Sequence, residues 1–192
     1  MSCRAGFVWE SSQHFNRYIE ECGITCELVT PYMLAAPFYR GSFSCLIVPT
    51  GFANPAYSRL LPALRASASR IRKFVEAGGN FLVFGAAIDS ADAYDWLPFP
   101  VTYCHDPHPR RIDCAASPAA GSIVEDFDPS SIVCDGTFPS HEGDAAGTAE
   151  GQHAVLIEKK VGKGIIIVTS IHEFPSRAFL KNFCASGTQT LF

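Results

Sequence analysis

The stretch from Ile71 to Ser90, IRKFVEAGGNFLVFGAAIDS, constrains this chain more than any other, because it joins a helix end, a glycine break, an unbroken apolar strand and a small-residue turn. Leu64, Ala68, Ile71 and Val75 step by four, three and four, the spacing of one helical face, while Arg65, Arg72, Lys73 and Glu76 fall outside it. A helix from about Pro62 to Ala77 therefore packs on a sheet. Gly78-Gly79 ends it, since glycine reaches the left-handed backbone of a helix C-terminus at least cost. Phe81-Leu82-Val83-Phe84 has no polar alternation, as expected of a parallel strand covered on both faces. The turn at Gly85-Ala86-Ala87 then lies beyond a strand's carboxyl end, where open α/β sheets bind their ligands.

The remaining pattern extends the same architecture. Ala5 to Trp9, Thr25 to Thr30 and Ser44 to Val48 read as strands, and Phe15, Ile19 and Cys22 as the inner face of a helix closed by Gly23. The order β-α-β followed by a longer link points to a parallel sheet with right-handed crossovers. Phe52 to Pro62 reads as a loop or broken helix. Asp89 is a candidate cap for a short helix through Trp96. Such a helix would aim free amides at the Gly85 turn, which would then either hold an anion or simply pack strand against helix. Residues 98–151 are rich in Pro, Gly, Asp and Ser and read as irregular insertions, with short apolar runs only at Val101-Thr102-Tyr103 and Ile132-Val133-Cys134. His153 to Glu158 and Gly164 to Ile171 form a late hairpin, and Ser176 to Cys184 a last helix.

Three blocks carry a resemblance: LIVPTG (Leu46 to Gly51), EAGGNFLVFGAA (Glu76 to Ala87) and KKVGKGIIIVTSIHEFPS (Lys159 to Ser176). Their wording resembles the class I glutamine amidotransferase-like superfamily, including its biotin-protein-ligase N-terminal and trehalose-utilisation relatives. The resemblance implies a flavodoxin-like α/β fold, a parallel sheet flanked by helices with a late β-hairpin, and one domain over residues 1–192. It also implies a nucleophile elbow of the form Gly-x-Cys-x-Gly, and here Ala87 stands at the nucleophile. Thr50 replaces a glycine at the oxyanion-hole position. His172 matches the base of the triad, but Glu173 follows it directly, one place earlier than the family's acid, which turns its side chain away in an extended segment. A triad needs nucleophile, base and orienting acid, so glutaminase activity is not expected.

Thr50, Gly51, Gly85, Ala86 and Ala87 are then the candidate ligand-binding residues, with His172 and Glu173 the candidate catalytic pair. His172 is equally readable as a strand-end cap. Cys104, His105, His108 and Cys114 have metal-capable side chains at short spacing, although Pro107 and Pro109 suggest a plain stiff loop and no standard zinc spacing is matched. The expected function is a pseudoenzyme domain binding a small molecule or a protein partner. The alternative is a hydrolase or transferase using His172 with a loop thiol or metal.

Composition limits the rest. With 192 residues and 47% hydrophobic content, a core can form without metal or disulfide, and eight cysteines without a secretion signal read as reduced thiols. A net charge of −4 argues against nucleic acid as partner. Absence of a charged leader or a bilayer-length apolar run leads to the expectation of a soluble, cytoplasmic protein with no membrane contact. Cofactor identity and homo-oligomer formation are left open.

Overall fold

The computed structural model describes residues 3–114, 117, 119–172 and 174–192. In its amino-terminal half, β1 (Arg4–Val8), α1 (His14–Glu21), β2 (Thr25–Val29), α2 (Pro31–Ala35), β3 (Ser42–Phe43), β4 (Cys45–Val48), α3 (Leu60–Glu76) and β5 (Asn80–Val83) follow in turn. The second half contributes β6 (Val101–Arg110), β7 (Ile112–Cys114), β8 (Ile132–His141), β9 (Asp144–Ala149), β10 (His153–Val161), β11 (Gly164–Thr169), α4 (Arg177–Ser186) and β12 (Thr190–Leu191). The main sheet runs β2-β1-β4-β5-β11-β10-β8-β6. Its first five strands are parallel, and β10 turns back antiparallel on β11, so the expected α/β fold with a late hairpin is what forms. No helix among the described residues is long and apolar enough to cross a membrane.

The parallel half forms as its residues dictate. All four residues of β4 and of β5 are buried, which accounts for their unbroken apolar runs. α3 buries Leu64, Ile71 and Val75 together with Leu60, Ser67 and Phe74. It closes at Gly78, whose φ of 119° no residue with a Cβ adopts readily. Ser176 caps α4 by accepting from the Phe179 amide.

A buried asparagine ties this end of the sheet together. Asn80 donates to Phe183 O at 2.7 Å and Ser186 Oγ at 3.0 Å and accepts from the Ile165 amide at 3.1 Å, so it links β5, α4 and β11. Asn80→Ala should lower the unfolding free energy by about 2 kcal/mol in denaturant titration, because three partners lose their bond in a buried setting.

Two expectations are corrected. The helix from Asp89 to Trp96 does not form; residues 90–97 make successive four-residue turns, with Ala93, Asp95 and Leu97 amides donating to Ser90, Asp92 and Tyr94 carbonyls. The reason is local. The Trp96 indole N–H takes the Ala93 carbonyl at 3.0 Å, the acceptor that a helix would offer to Leu97, and Arg65 on α3 holds Asp92 and Asp95 outward. Residues 98–151 are likewise not mainly irregular, since they hold β6 to β9. Register shifts between Thr102 and Cys104 and between His105 and His108 break the period-two pattern of β6, and Pro107 and Pro109 are tolerated because β6 is an edge strand.

Candidate functional site

The carboxyl ends of β1, β4, β5 and β11 open on one edge of the sheet, and a cavity of about 600 Å³ lies there. Its walls come from Trp9 after β1, Gln13 to Phe15 at the start of α1, Pro49 to Gly51 after β4, and Asn54 and Tyr57 in the turns before α3. Ala87 after β5, His105 on β6, Asp135 on β8, and His172 and Phe174 after β11 complete it.

The turn after β5 has a strained backbone. Ala87 has a φ of 51°, a left-handed conformation that costs a residue with a Cβ about 1 kcal/mol or more. The surrounding contacts hold it there: Asn54 Nδ2 donates to Ala87 O at 2.8 Å, and Tyr94 Oη donates to Phe84 O at 2.8 Å. Tyr103 Oη, nearby, donates to Asp135 O at 2.9 Å. Burial pushes both phenols above their usual range, so they stay neutral and able to donate. Across the gap, the Gly51 amide donates to Gly85 O at 2.8 Å.

His172 has a carboxylate partner that the linear sequence hides. Its Nδ1 lies 2.8 Å from Asp135 Oδ1, and with the carboxylate ionised the imidazole N–H donates. Asp135 is held from several directions. Its amide donates to Ser170 O at 2.7 Å, its carbonyl accepts from Tyr103 Oη at 2.9 Å, and the His172 amide donates to Val133 O at 2.9 Å. The Asp135 side chain is 7% exposed, whereas that of His172 is 55% exposed and faces the cavity. Asp135 Oδ2 is buried with no hydrogen-bond partner, and it sits where a Cβ on Gly85 would be, 2.5 Å away. Only glycine at 85 leaves room for this carboxylate.

The candidates from sequence are placed as follows. Thr50, Gly51, Ala87 and His172 line the cavity, while Ala86 is fully buried and Gly85 lies beneath Asp135. Glu173 lies outside the described residues. Of the metal candidates, His105 turns into the cavity with Tyr103 Oη 3.2 Å from its Nδ1, His108 pairs with Asp106 at 3.3 Å, and Cys104 is exposed on β6. Cys114 is on β7, paired with β9 rather than β6. Among the described residues, no three His, Cys, Asp or Glu side chains gather to hold a metal ion. Sequence reasoning missed Asp135, Trp9, His14 and Tyr57. For Asp135 the available signal was a carboxylate directly after the apolar run Ile132-Val133-Cys134 and before Gly136.

No protein-family model and no curated protein matches the chain. Solved structures do. A protein described as a GMP synthase subunit from Thermoplasma acidophilum aligns with a TM-score of 0.66 at 14% identity, over 97% of this chain and 94% of its own. PurLQS from Thermotoga maritima aligns at 0.53 and 13% identity, over 92% and 88%. A β-galactosidase from Bacillus circulans aligns at 0.55 and 11% identity over 96% of this chain but 30% of its own, so there the fold is one part of a longer enzyme. At such identities the likeness is one of fold, the amidotransferase-like fold that the three sequence blocks resemble.

Proposed function

We propose that this protein is an amidotransferase-like domain without glutaminase activity that binds a small molecule in the cavity above the Ala87 elbow. The observation that carries the reading is the elbow itself: its left-handed backbone is kept at Ala87, the nucleophile is absent, and the space above it stays open. A tetrahedral intermediate would find no covalent partner at Ala87. The Asp135–His172 pair favours a second reading, a hydrolase or transferase in which His172 serves as base. Cys104 does not line the cavity, so a thiol partner for that chemistry is not at hand.

Ammonia release from glutamine should equal that of a His172→Ala control. Turnover by the wild-type protein would overturn the reading. Binding is checked by ligand-observed NMR with a small-molecule library, and hits should be lost in Ala87→Leu, which fills the cavity from a residue that already bears a Cβ.

A further inference from the structure

We infer that the cavity receives an organic ammonium group, quaternary or alkyl-substituted, which lies against the aromatic side chains of its walls with Asp135 as counter-charge. This deepens the reading of the cavity as a small-molecule site and rests on it. The rings supply the surface, and the carboxylate selects the sign of the charge.

The walls are largely aromatic, with Phe7, Trp9, Phe15, Tyr57, Phe84 and Phe174 among the lining residues. Two of these rings keep much of their surface open. Phe174 stacks on Phe15 with ring centroids 4.6 Å apart and planes 10° apart and lies 5.2 Å from Tyr18, yet remains 41% exposed. Tyr57 is 64% exposed and packs beside Gly51, where an added Cβ would come within 3.1 Å of its ring and within 3.8 Å of Trp9. An aromatic face is electron-rich, and a cation set within about 6 Å of the ring centre is attracted to it, most strongly where little water intervenes. The same aromatic cluster already receives one, since the Arg177 guanidinium lies 4.9 Å from the centre of the Tyr18 ring. Arg177 is paired with Glu21 at 3.0 Å and does not line the cavity.

Aromatic walls alone would serve an uncharged apolar ligand equally well, and the charge of the wall decides between the two. Asp135 is the one carboxylate among the described lining residues, and no Lys or Arg is among them. Its side chain is 7% exposed, and Oδ1 is paired with the Nδ1 of His172 at 2.8 Å. Oδ2 is buried without a hydrogen-bond partner. A buried carboxylate that is incompletely hydrogen-bonded is costly, and a positive charge in the adjoining cavity offsets that cost by an attraction that a low surrounding dielectric strengthens. No contact from the His172 ring to the ligand is required. His14 and His105 also line the cavity, so its charge is most clearly negative where imidazoles are neutral, which sets the pH of the test.

Helix N-termini and unpaired amides at strand ends favour the opposite sign, an anion. Two such donors at this rim are occupied. α1 begins at the wall of the cavity, where the Gln13 amide donates to Asn16 Oδ1 at 2.7 Å. The Gly51 amide donates to Gly85 O at 2.8 Å. The helix expected after Asp89, which would have aimed further amides at the Gly85 turn, is replaced by successive turns.

The test uses the full chain at about pH 8, above the ordinary range of histidine. Its probes share one shape and differ in charge: choline, the uncharged 3,3-dimethylbutan-1-ol and the anionic 3,3-dimethylbutanoate. Affinities are measured by NMR titration and calorimetry. Choline should bind about tenfold or more tightly than the alcohol, and the carboxylate most weakly. Tyr57→Leu and Phe174→Leu keep apolar bulk but remove the ring, so each should cost choline roughly threefold to tenfold and change the affinity of the alcohol by less than about twofold. Tyr57→Phe keeps the ring and should bind choline as the wild type does. In Asp135→Asn the preference for choline over the alcohol should shrink by roughly threefold or more. Thermal melting checks that each variant is folded, and the ring variants decide alone if Asp135→Asn is not. Equal or tighter binding of the alcohol or the carboxylate overturns the ammonium assignment and leaves the small-molecule reading standing. Choline binding that ignores both ring losses places the cation elsewhere and also overturns the assignment. If no probe binds at millimolar concentration the assignment falls, and the library screen with Ala87→Leu judges the small-molecule reading separately.

Discussion

Gly85→Ala is expected to lower stability by about 2–3 kcal/mol and to separate His172 from Asp135. The added Cβ would lie 2.5 Å from Asp135 Oδ2, 2.8 Å from its Cβ and 3.0 Å from its Cγ, so the whole side chain must move rather than its tip alone. It cannot move freely, because the Asp135 amide and carbonyl are tied to Ser170 and Tyr103. Denaturant titration measures the loss, and the nitrogen shifts of His172 report whether Nδ1 still faces a carboxylate. In an Asp135→Ala background the penalty should shrink, since two of the three contacts are gone. An unchanged His172 spectrum in Gly85→Ala would show that the carboxylate is not seated on the glycine.

A larger loss is expected at Tyr94. Its ring is fully buried and meets Phe52, Tyr103 and Phe138 edge-on at 5.3, 5.6 and 5.6 Å, and its hydroxyl donates to the Phe84 carbonyl at 2.8 Å. Tyr94→Ala should cost about 3–5 kcal/mol, the range for emptying a buried aromatic site. Tyr94→Phe keeps the ring and should cost about 1 kcal/mol, because the Phe84 carbonyl loses its partner. The comparison separates packing from hydrogen bonding. If Tyr94→Phe melts with the wild type, the phenol does not hold the elbow.

The two substitutions bear on one design. The parallel half supplies the elbow, and the antiparallel wing supplies what holds it: Tyr103 from β6 and Asp135 from β8. Ala87 has a left-handed backbone, and the Asn54 bond to its carbonyl helps to keep it in place.

Local pattern alone determined the parallel core of this protein. The helical spacing at Leu64, Ile71 and Val75, the glycine stop at Gly78 and the unbroken strand at Phe81 to Val83 are short-range signals, set by helix period, backbone freedom and burial on two faces. That Ala87 offers no nucleophilic atom is equally plain from the sequence. The antiparallel wing was not. Bulges in β6 interrupt its alternation, its edge position tolerates prolines that normally argue against a strand, and the Trp96 indole takes the carbonyl that a helix after Asp89 would have required. Asp135 and His172 stand 37 residues apart and meet only because β8 and the segment after β11 are brought alongside at Cys134 and Ile171. No spacing rule encodes such a pair. It exists through the pairing of strands distant in the chain, which depends on the whole sheet rather than on any run of residues within it.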